Sequence, residues 1–120
     1  MNALHVLSFD DLEALTPSVE TTRAEIMLGG NPQTTTWLIS ERADGKVFTG
    51  VWESEHFHIR LNQNGETEYC NILEGEVRVT DLDGNVSTFK AGQAFVLAPD
   101  FAGTWESVGR VRKHFVICLP

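Results

Sequence analysis

The chain contains no apolar run long enough to cross a lipid bilayer. Its longest runs, residues 94–98 and 115–119, are strand-sized, whereas a membrane helix needs about 20 apolar residues. The first residues show no basic region leading into a long apolar stretch, so we expect no secretory signal and a cytoplasmic location. Basic side chains are also scarce. The chain has 9 lysines and arginines against 17 acidic residues, which gives a net charge of -8. Such a chain repels nucleic-acid phosphates, and we expect neither a nucleic-acid nor a membrane partner.

Several catalytic and metal-binding motifs are absent too. The chain has no glycine-rich phosphate loop, no Ser-His-Asp arrangement and no paired cysteine motif for zinc. It has only 2 cysteines, Cys70 and Cys118, each in an apolar stretch. In a reducing compartment such cysteines are usually unpaired, so we predict no disulfide. Neither an internal repeat nor a linker is visible, and the 120 residues suit a single domain, 1–120.

What the chain does contain is a series of short β-type segments. From about residue 23 onward, stretches rich in Val, Ile, Thr, Phe and Trp are separated by turn residues, a pattern typical of antiparallel sheets. Turn signals such as Asn64-Gly65 and Asp83-Gly84 recur between these stretches and predict at least seven strands. Many short strands hide their edges best in a closed barrel, so the sequence predicts an all-β jelly roll.

One short helix is predicted near the N-terminus. Ser8 stands three residues before Asp11 and ahead of Leu12 and Leu15, which is similar to a capping box. Pro17 would end this helix, because proline cannot continue the hydrogen-bond pattern. The remaining chain is predicted to contain only strands and turns.

Residues 50–117 carry a set of motifs that occur together in one family. The motifs are 50–54 (GVWES), 68–75 (EYCNILEG), 89–92 (FKAG), 95–99 (FVLAP), 103–106 (GTWE) and 111–115 (VRKHF). With them the chain resembles small stand-alone cupins related to the cupin domains of ureidoglycine aminohydrolase and of ethanolamine-utilisation proteins. The resemblance implies a cupin β-barrel with one internal pocket, in which Glu68 points inward and Gly75 permits the next tight turn. It also implies a homodimer that pairs through strands near the N-terminus.

His56 and His58 raise the question of a metal site. Histidines two apart on a strand face the same way, and with Glu68 they resemble the ligand set of a metal-binding cupin. Such a set would hold a divalent Mn, Zn, Fe or Ni ion. The spacing argues against it, because nine residues separate His58 from Glu68, more than metal-binding cupins have. Thr104 and Trp105 also stand where the family's further histidine ligand is expected. We therefore favour a pocket without metal.

The pairing of the segment around residues 56–62 with the following strand decides which side chains meet Glu68. If residues 63–67 form a loop, Asn62 lies opposite Glu68 and Arg60 lies opposite Cys70. This register puts the following side chains on one face: His58, Arg60, Asn62, Glu68 and Cys70. If residues 64–65 form a two-residue turn, the histidines point away from Glu68. We favour the first register, because it lets Arg60 neutralise a carboxylate that would otherwise be buried unpaired.

Three functions are compatible with this pocket. In the first, the protein binds a small polar or anionic metabolite, Arg60 holds an anionic group, and Glu68 is the general base if a reaction occurs. The expected ligand-binding residues are His58, Arg60, Asn62, Cys70, Trp52, Trp105 and Lys113. The second is a divalent-metal-dependent enzyme of the aminohydrolase-like class that uses His56, His58 and Glu68. The third is a non-catalytic sensing or structural module. A barrel hosts all three, so the sequence leaves open whether the protein is an enzyme.

Overall fold

A computed structural model of the protein describes residues 6–120. Within them the chain forms eleven strands and a single 3₁₀ turn, Ala24–Ile26. The strands in chain order are β1 (Ser18–Thr21), β2 (Met27–Gly30), β3 (Gln33–Glu41), β4 (Val47–Ser54), β5 (Phe57–Asn62), β6 (Thr67–Glu74), β7 (Glu76–Asp81), β8 (Val86–Lys90), β9 (Ala94–Leu97), β10 (Ala102–Ser107) and β11 (Val111–Cys118). The prediction of an all-β chain is confirmed.

The strands form two antiparallel sheets. One has six strands in the order β1-β3-β4-β11-β6-β9, and the other has five in the order β2-β5-β10-β7-β8. Neighbours in a sheet are mostly far apart along the chain, and consecutive strands such as β5 and β6 lie in different sheets. This is the jelly-roll arrangement that the sequence predicted.

The core lies between the two sheets and follows the two-residue period of the strands. In β7, Val77 and Val79 are buried, while Arg78 between them is exposed. Ile72 of β6 and Val111 of β11 are completely buried against them. Burial of each such aliphatic side chain contributes about 1.5–3 kcal/mol of transfer free energy, so the inward positions hold the sheets together.

The predicted N-terminal helix is wrong for the described part of the segment. The Ser8 hydroxyl accepts a hydrogen bond from the Asp10 backbone N–H at 3.1 Å, and a single turn follows in which the Leu15 N–H donates to the Leu12 carbonyl. A serine side chain that hydrogen-bonds to nearby backbone groups offers the chain an alternative to a helix. A helix this short would also form too few hydrogen bonds to offset the cost of its first turn. Phe9 instead packs edge-on against His114, with ring centroids 4.6 Å apart.

Among residues 6–120, no helix has both the length and the apolar content to span a membrane.

Gly75 makes the tight turn between β6 and β7. Its φ is +90°, a backbone conformation that side-chain-bearing residues rarely adopt. A Cβ atom here would lie 2.1 Å from the Arg110 carbonyl oxygen. Gly75 therefore occupies the turn that the cupin resemblance implied.

Candidate functional site

Strands β5 and β6 do not pair with each other, so neither register considered from the sequence exists. β5 pairs with β2 and β10, whereas β6 pairs with β9 and β11. The turn signal at Asn64-Gly65 is real, with φ values of 50° and 93°. This turn takes the chain from one sheet to the other. A connection between sheets and a hairpin within one sheet use the same turn residues. A local pattern therefore could not distinguish them.

The two faces of β5 correct the prediction for Arg60 and Asn62. Its inward side chains are Phe57, Ile59 and Leu61, and its outward side chains are His58, Arg60 and Asn62. Arg60 is exposed and donates only to the Glu25 carbonyl oxygen, at 3.2 Å. Asn62 is exposed and accepts from the Asn64 backbone N–H. The prediction that Arg60 neutralises Glu68 is wrong, because the apolar face of β5 takes the interior.

The predicted metal-ligand set of His56, His58 and Glu68 is wrong as well. His56 Nε2 lies 3.3 Å from Glu106 Oε2, and His58 lies opposite Glu106 in the ladder between β5 and β10. Both histidines thus lie on the outside of the five-stranded sheet, while Glu68 faces the interior. No group of three or more His, Cys, Asp or Glu side chains within residues 6–120 is arranged to hold a metal ion. These residues do not fit a divalent metal.

We expect the substitution Arg60→Ala to change the free energy of unfolding by less than about 0.5 kcal/mol, because surface side chains outside packed networks have effects of this size. Urea unfolding at neutral pH measures it. A loss above about 2 kcal/mol would show that Arg60 supports the interior after all.

The cation that meets Glu68 is Lys113, from β11. Its ammonium donates to Glu68 Oε2 at 2.6 Å. Lys113 is only 6% exposed, and the Glu68 side chain is 14% exposed. The pairing of β11 with β6 shifts register between Arg112 and Lys113, and an irregularity of this kind re-aims the side chains beside it. Neither charge could be buried without a partner, so the two side chains neutralise each other.

Two tryptophans surround the ammonium of Lys113. Its Nζ lies 4.7 Å from the ring centroid of Trp52 and 4.3 Å from that of Trp105. The two rings meet edge to face at 5.9 Å. Contacts of a cation with aromatic faces are attractive, and more so away from water. Trp52 and Trp105 therefore form the aromatic walls of the site.

Two buried serines fix the position of the Trp105 ring. The Trp105 indole N–H donates to Ser107 Oγ at 3.0 Å, and Ser54 Oγ donates to the same oxygen at 2.9 Å. Ser107 is fully buried and Ser54 is 4% exposed. Neither serine is predictable as a site residue, because a serine in a strand has no distinctive sequence pattern. The one available signal is that Ser107 shares its face of β10 with Trp105.

Cys70 lies beside the ion pair as a neutral thiol. Its Sγ is 3.3 Å from Glu68 Oε2 and 3.7 Å from Lys113 Nζ. Burial and, to a smaller extent, Glu68 raise the pKa of Cys70 and Lys113 lowers it, so that the net pKa is about 12. A thiol that stays protonated at neutral pH is a poor nucleophile. Cys70 and Cys118 are both free thiols.

Lys113 carries its charge at neutral pH. Burial alone would lower the pKa of Lys113, but the contacts with Cys70 and Glu68 outweigh it, and the net pKa lies above the ordinary 10.5. Because Cys70 is a neutral thiol in this range, the attraction that acts at neutral pH is that of Glu68. Lys113 is therefore an ammonium cation and not an amine nucleophile.

We expect the protein to lose stability as the pH rises above 9. The pKa of Cys70 is 9.0 in an open chain and about 12 in the fold, so the folded state holds a proton that the unfolded state releases. Between these values the free energy of unfolding falls by about 1.4 kcal/mol per pH unit. Above pH 10.5 the raised pKa of Lys113 acts in the same direction. Urea unfolding midpoints as a function of pH measure the slope.

The variant Cys70→Ala is the control for this pH dependence. It should remove the fall between pH 9 and 10.5 and also reduce the fall above 10.5, because Cys70 is the largest contribution that raises the pKa of Lys113. An unchanged slope below pH 10.5 would mean that Cys70 does not titrate in the predicted window.

Two cavities open around the ion pair. The larger, of about 520 Å³, follows the inner face of the six-stranded sheet and is lined by Glu20, Phe48 and Phe115 among others. The smaller, of about 240 Å³, reaches between the sheets to Ile59 and Trp105. Both are lined by Trp52, Glu68 and Lys113. The ion pair is therefore reached from either cavity.

Comparison with known proteins identifies the family. Residues 41–115, more than half of the chain, match the model of the EutQ-like cupin domain. The chain belongs to the EutQ-like cupin family. This confirms the resemblance to ethanolamine-utilisation cupins, while the relation to ureidoglycine aminohydrolase stays a prediction. A comparison of this EutQ-like cupin with the curated proteins finds no match.

Solved structures share the fold of this EutQ-like cupin. A protein of unknown function from Pseudomonas syringae pv. tomato str. DC3000 has a TM-score of 0.75 and 27% identity, over 86% of this chain and 43% of that chain. A predicted oxalate decarboxylase from Thermotoga maritima has a TM-score of 0.71 and 20% identity, over 96% and 99%. A putative ethanolamine utilization protein Q from Salmonella typhimurium LT2 has a TM-score of 0.64 and 18% identity, over 87% and 96%. The chain spans less than half of the Pseudomonas protein, and the likeness to the other two shows the fold alone.

The predicted site residues of this EutQ-like cupin thus divide into two groups. Those inside the barrel are Trp52, Glu68, Cys70, Trp105 and Lys113. Those outside it are His56, His58, Arg60 and Asn62. The interior group is a buried ion pair with aromatic walls and a neutral thiol.

Proposed function

We propose that this EutQ-like cupin binds a small organic molecule beside Glu68 and Lys113 in the larger of the two cavities. The supporting observation is the second oxygen of Glu68. Oε2 is occupied by Lys113 and Cys70, whereas Oε1 makes no hydrogen bond within residues 6–120. Every fully buried side-chain polar atom in that part of the chain has a partner, so Oε1 is accessible from the cavities. An accessible carboxylate oxygen beside aromatic walls is a strong acceptor for a ligand.

The side chains of the site favour binding over covalent chemistry. Cys70 is protonated at neutral pH, and Lys113 is charged. Neither is a nucleophile in that state. Glu68 is the remaining acid-base group, and a reaction in this pocket would use it as the general base. Arg60 has no part in this proposal, because it lies outside the barrel.

A substitution that fills the cavity tests the proposal. Leu38 lines the larger cavity, is not a member of the ion pair, and is 43% exposed. Leu38→Trp should block that cavity while the barrel still folds. We expect small amines, alcohols, amides or carboxylates that raise the melting temperature of the wild type to lose this effect in Leu38→Trp.

The matched control is Leu82→Trp, because Leu82 is 82% exposed and lines neither cavity. Ligands should raise the melting temperature of this variant as they do for the wild type. A screen in which no compound raises the wild-type melting temperature, or in which Leu38→Trp binds normally, would contradict the proposal.

The homodimer and the cytoplasmic location stay predictions. Static light scattering tests the first, and a mass of 13.4 kDa, that of one chain, would contradict it.

A further inference from the structure

The charged side chains that line the larger cavity are Glu20, Glu68 and Lys113. Lys113 is held by Glu68 at 2.6 Å, so these two charges cancel. Glu20, from the exposed edge strand β1, forms no ion pair or side-chain hydrogen bond within residues 6–120. The cavity therefore has one carboxylate in excess, and the smaller cavity adds no further charged residue.

An anionic ligand meets two obstacles in this cavity. The ammonium of Lys113 already faces Glu68 and the rings of Trp52 and Trp105. A ligand carboxylate would have to compete with Glu68, Cys70 and the two rings for the N–H donors of this buried ammonium. It would also be repelled by Glu20 and by Glu68 Oε1. No other lysine or arginine lines either cavity.

A cationic ligand meets complementary groups in the same place. Glu68 Oε1 accepts a charge-assisted hydrogen bond from an ammonium group, and Glu20, four strands away in the same sheet, attracts a cation into the cavity over a longer distance. Phe48, Trp52 and Phe115 line the same cavity and offer aromatic surface to an apolar body or a cation. The net charge of -8 on the whole chain adds a long-range attraction for cations.

We infer that the ligand is an organic cation with an apolar body, of the class of a primary amine, whose ammonium group is bound by Glu68 Oε1, while Glu20 adds a longer-range attraction from the far part of the cavity. This inference rests on the proposed function and narrows it, because it replaces the small polar or anionic metabolite expected from the sequence. The expectation of an anion depended on Arg60 facing the pocket, and Arg60 faces outward.

Near-isosteric probes test the sign of the charge. Benzylamine, benzyl alcohol and benzoate share one ring, and butylamine, butanol and butyrate share one chain. Calorimetric titration of the wild type at neutral pH and low salt should show that each amine binds about tenfold more tightly than its alcohol, since a charged hydrogen bond is stronger than a neutral one. The carboxylates should not bind.

Glu20→Gln tests whether the carboxylate of Glu20 contributes to amine binding. It should weaken amine binding about two- to threefold at low salt, because its attraction acts over a distance, and leave alcohol binding unchanged. Asp83→Asn is the matched control, because Asp83 is an exposed carboxylate in the turn between β7 and β8, outside both cavities. It removes the same net charge and should leave amine binding as in the wild type.

Each other result overturns the inference in a distinct way. If a carboxylate or an alcohol binds as tightly as its amine and Leu38→Trp blocks it, the ligand class is wrong while the pocket function stands. If amines bind equally to Glu20→Gln and Leu38→Trp, they adhere to the acidic surface and the inference fails. If no probe binds and no compound of the wider screen does, both proposals fail.

Discussion

Replacing Lys113 by methionine should lower the free energy of unfolding by about 3–5 kcal/mol, the usual cost of breaking a buried ion pair from one side. Among residues 6–120, the Glu68 carboxylate would lose the only cation within hydrogen-bond distance of it, at 2.6 Å. Methionine keeps most of the volume and the apolar stem of lysine, so cavity formation adds little. Urea unfolding at neutral pH measures the loss.

Two further variants separate the charge from the packing. The double variant Lys113→Met with Glu68→Leu should recover most of the lost stability, because apolar replacement of both partners of a buried pair is often neutral or better. Lys90→Met is the matched control, since Lys90 is exposed and 3.9 Å from Glu76. It should cost less than about 0.5 kcal/mol. A double variant as unstable as Lys113→Met alone would show that the carboxylate was not the cause.

Gly75→Ala should destabilise the barrel by about 2–5 kcal/mol, from a strained backbone and a steric overlap together. The added Cβ atom would lie 2.1 Å from the Arg110 carbonyl oxygen and 3.0 Å from Val111 Cγ2. The first contact is with backbone, which cannot move without disturbing the entry to β11. Urea unfolding measures the change.

Gly92→Ala is the matched control for the overlap. Gly92 has the same φ of +90°, but a Cβ atom there meets nothing within 4 Å. Its substitution should therefore cost only the conformational part, about 1–2 kcal/mol. Equal losses of stability for Gly75→Ala and Gly92→Ala would show that the close approach to the Arg110 carbonyl does not contribute to the effect.

Much of the fold was predictable from local patterns. Stretches of β-branched and aromatic residues between turn signals indicated the strands, because their side chains suit a pleated surface. The motif from Glu68 to Gly75 indicated a cupin strand and its turn, since only glycine adopts φ of +90° there without strain. The helix prediction failed because Ser8 caps a turn as readily as it caps a helix.

The candidate site was predictable only in part. Trp52, Glu68, Trp105 and Lys113 all belong to family-like motifs. Arg60 is the partner that an assumed pairing of residues 56–62 with the following strand predicts for Glu68, since that register puts both side chains on one face. The actual partner lies 45 residues away from Glu68 along the chain, beyond the reach of any local pattern.

Sequence alone was sufficient for the strands, for the alternation of side chains along them and for the need of Glu68 for a cation, because side-chain alternation and burial costs are local properties. The identity of that cation depended on which strands became neighbours. The chain crosses between sheets after β5, which brings β11 beside β6 and turns His58 and Arg60 to the outside. Strand order is set by the packing of all the apolar faces together, and it converted a predicted anion pocket into a cavity with an excess carboxylate.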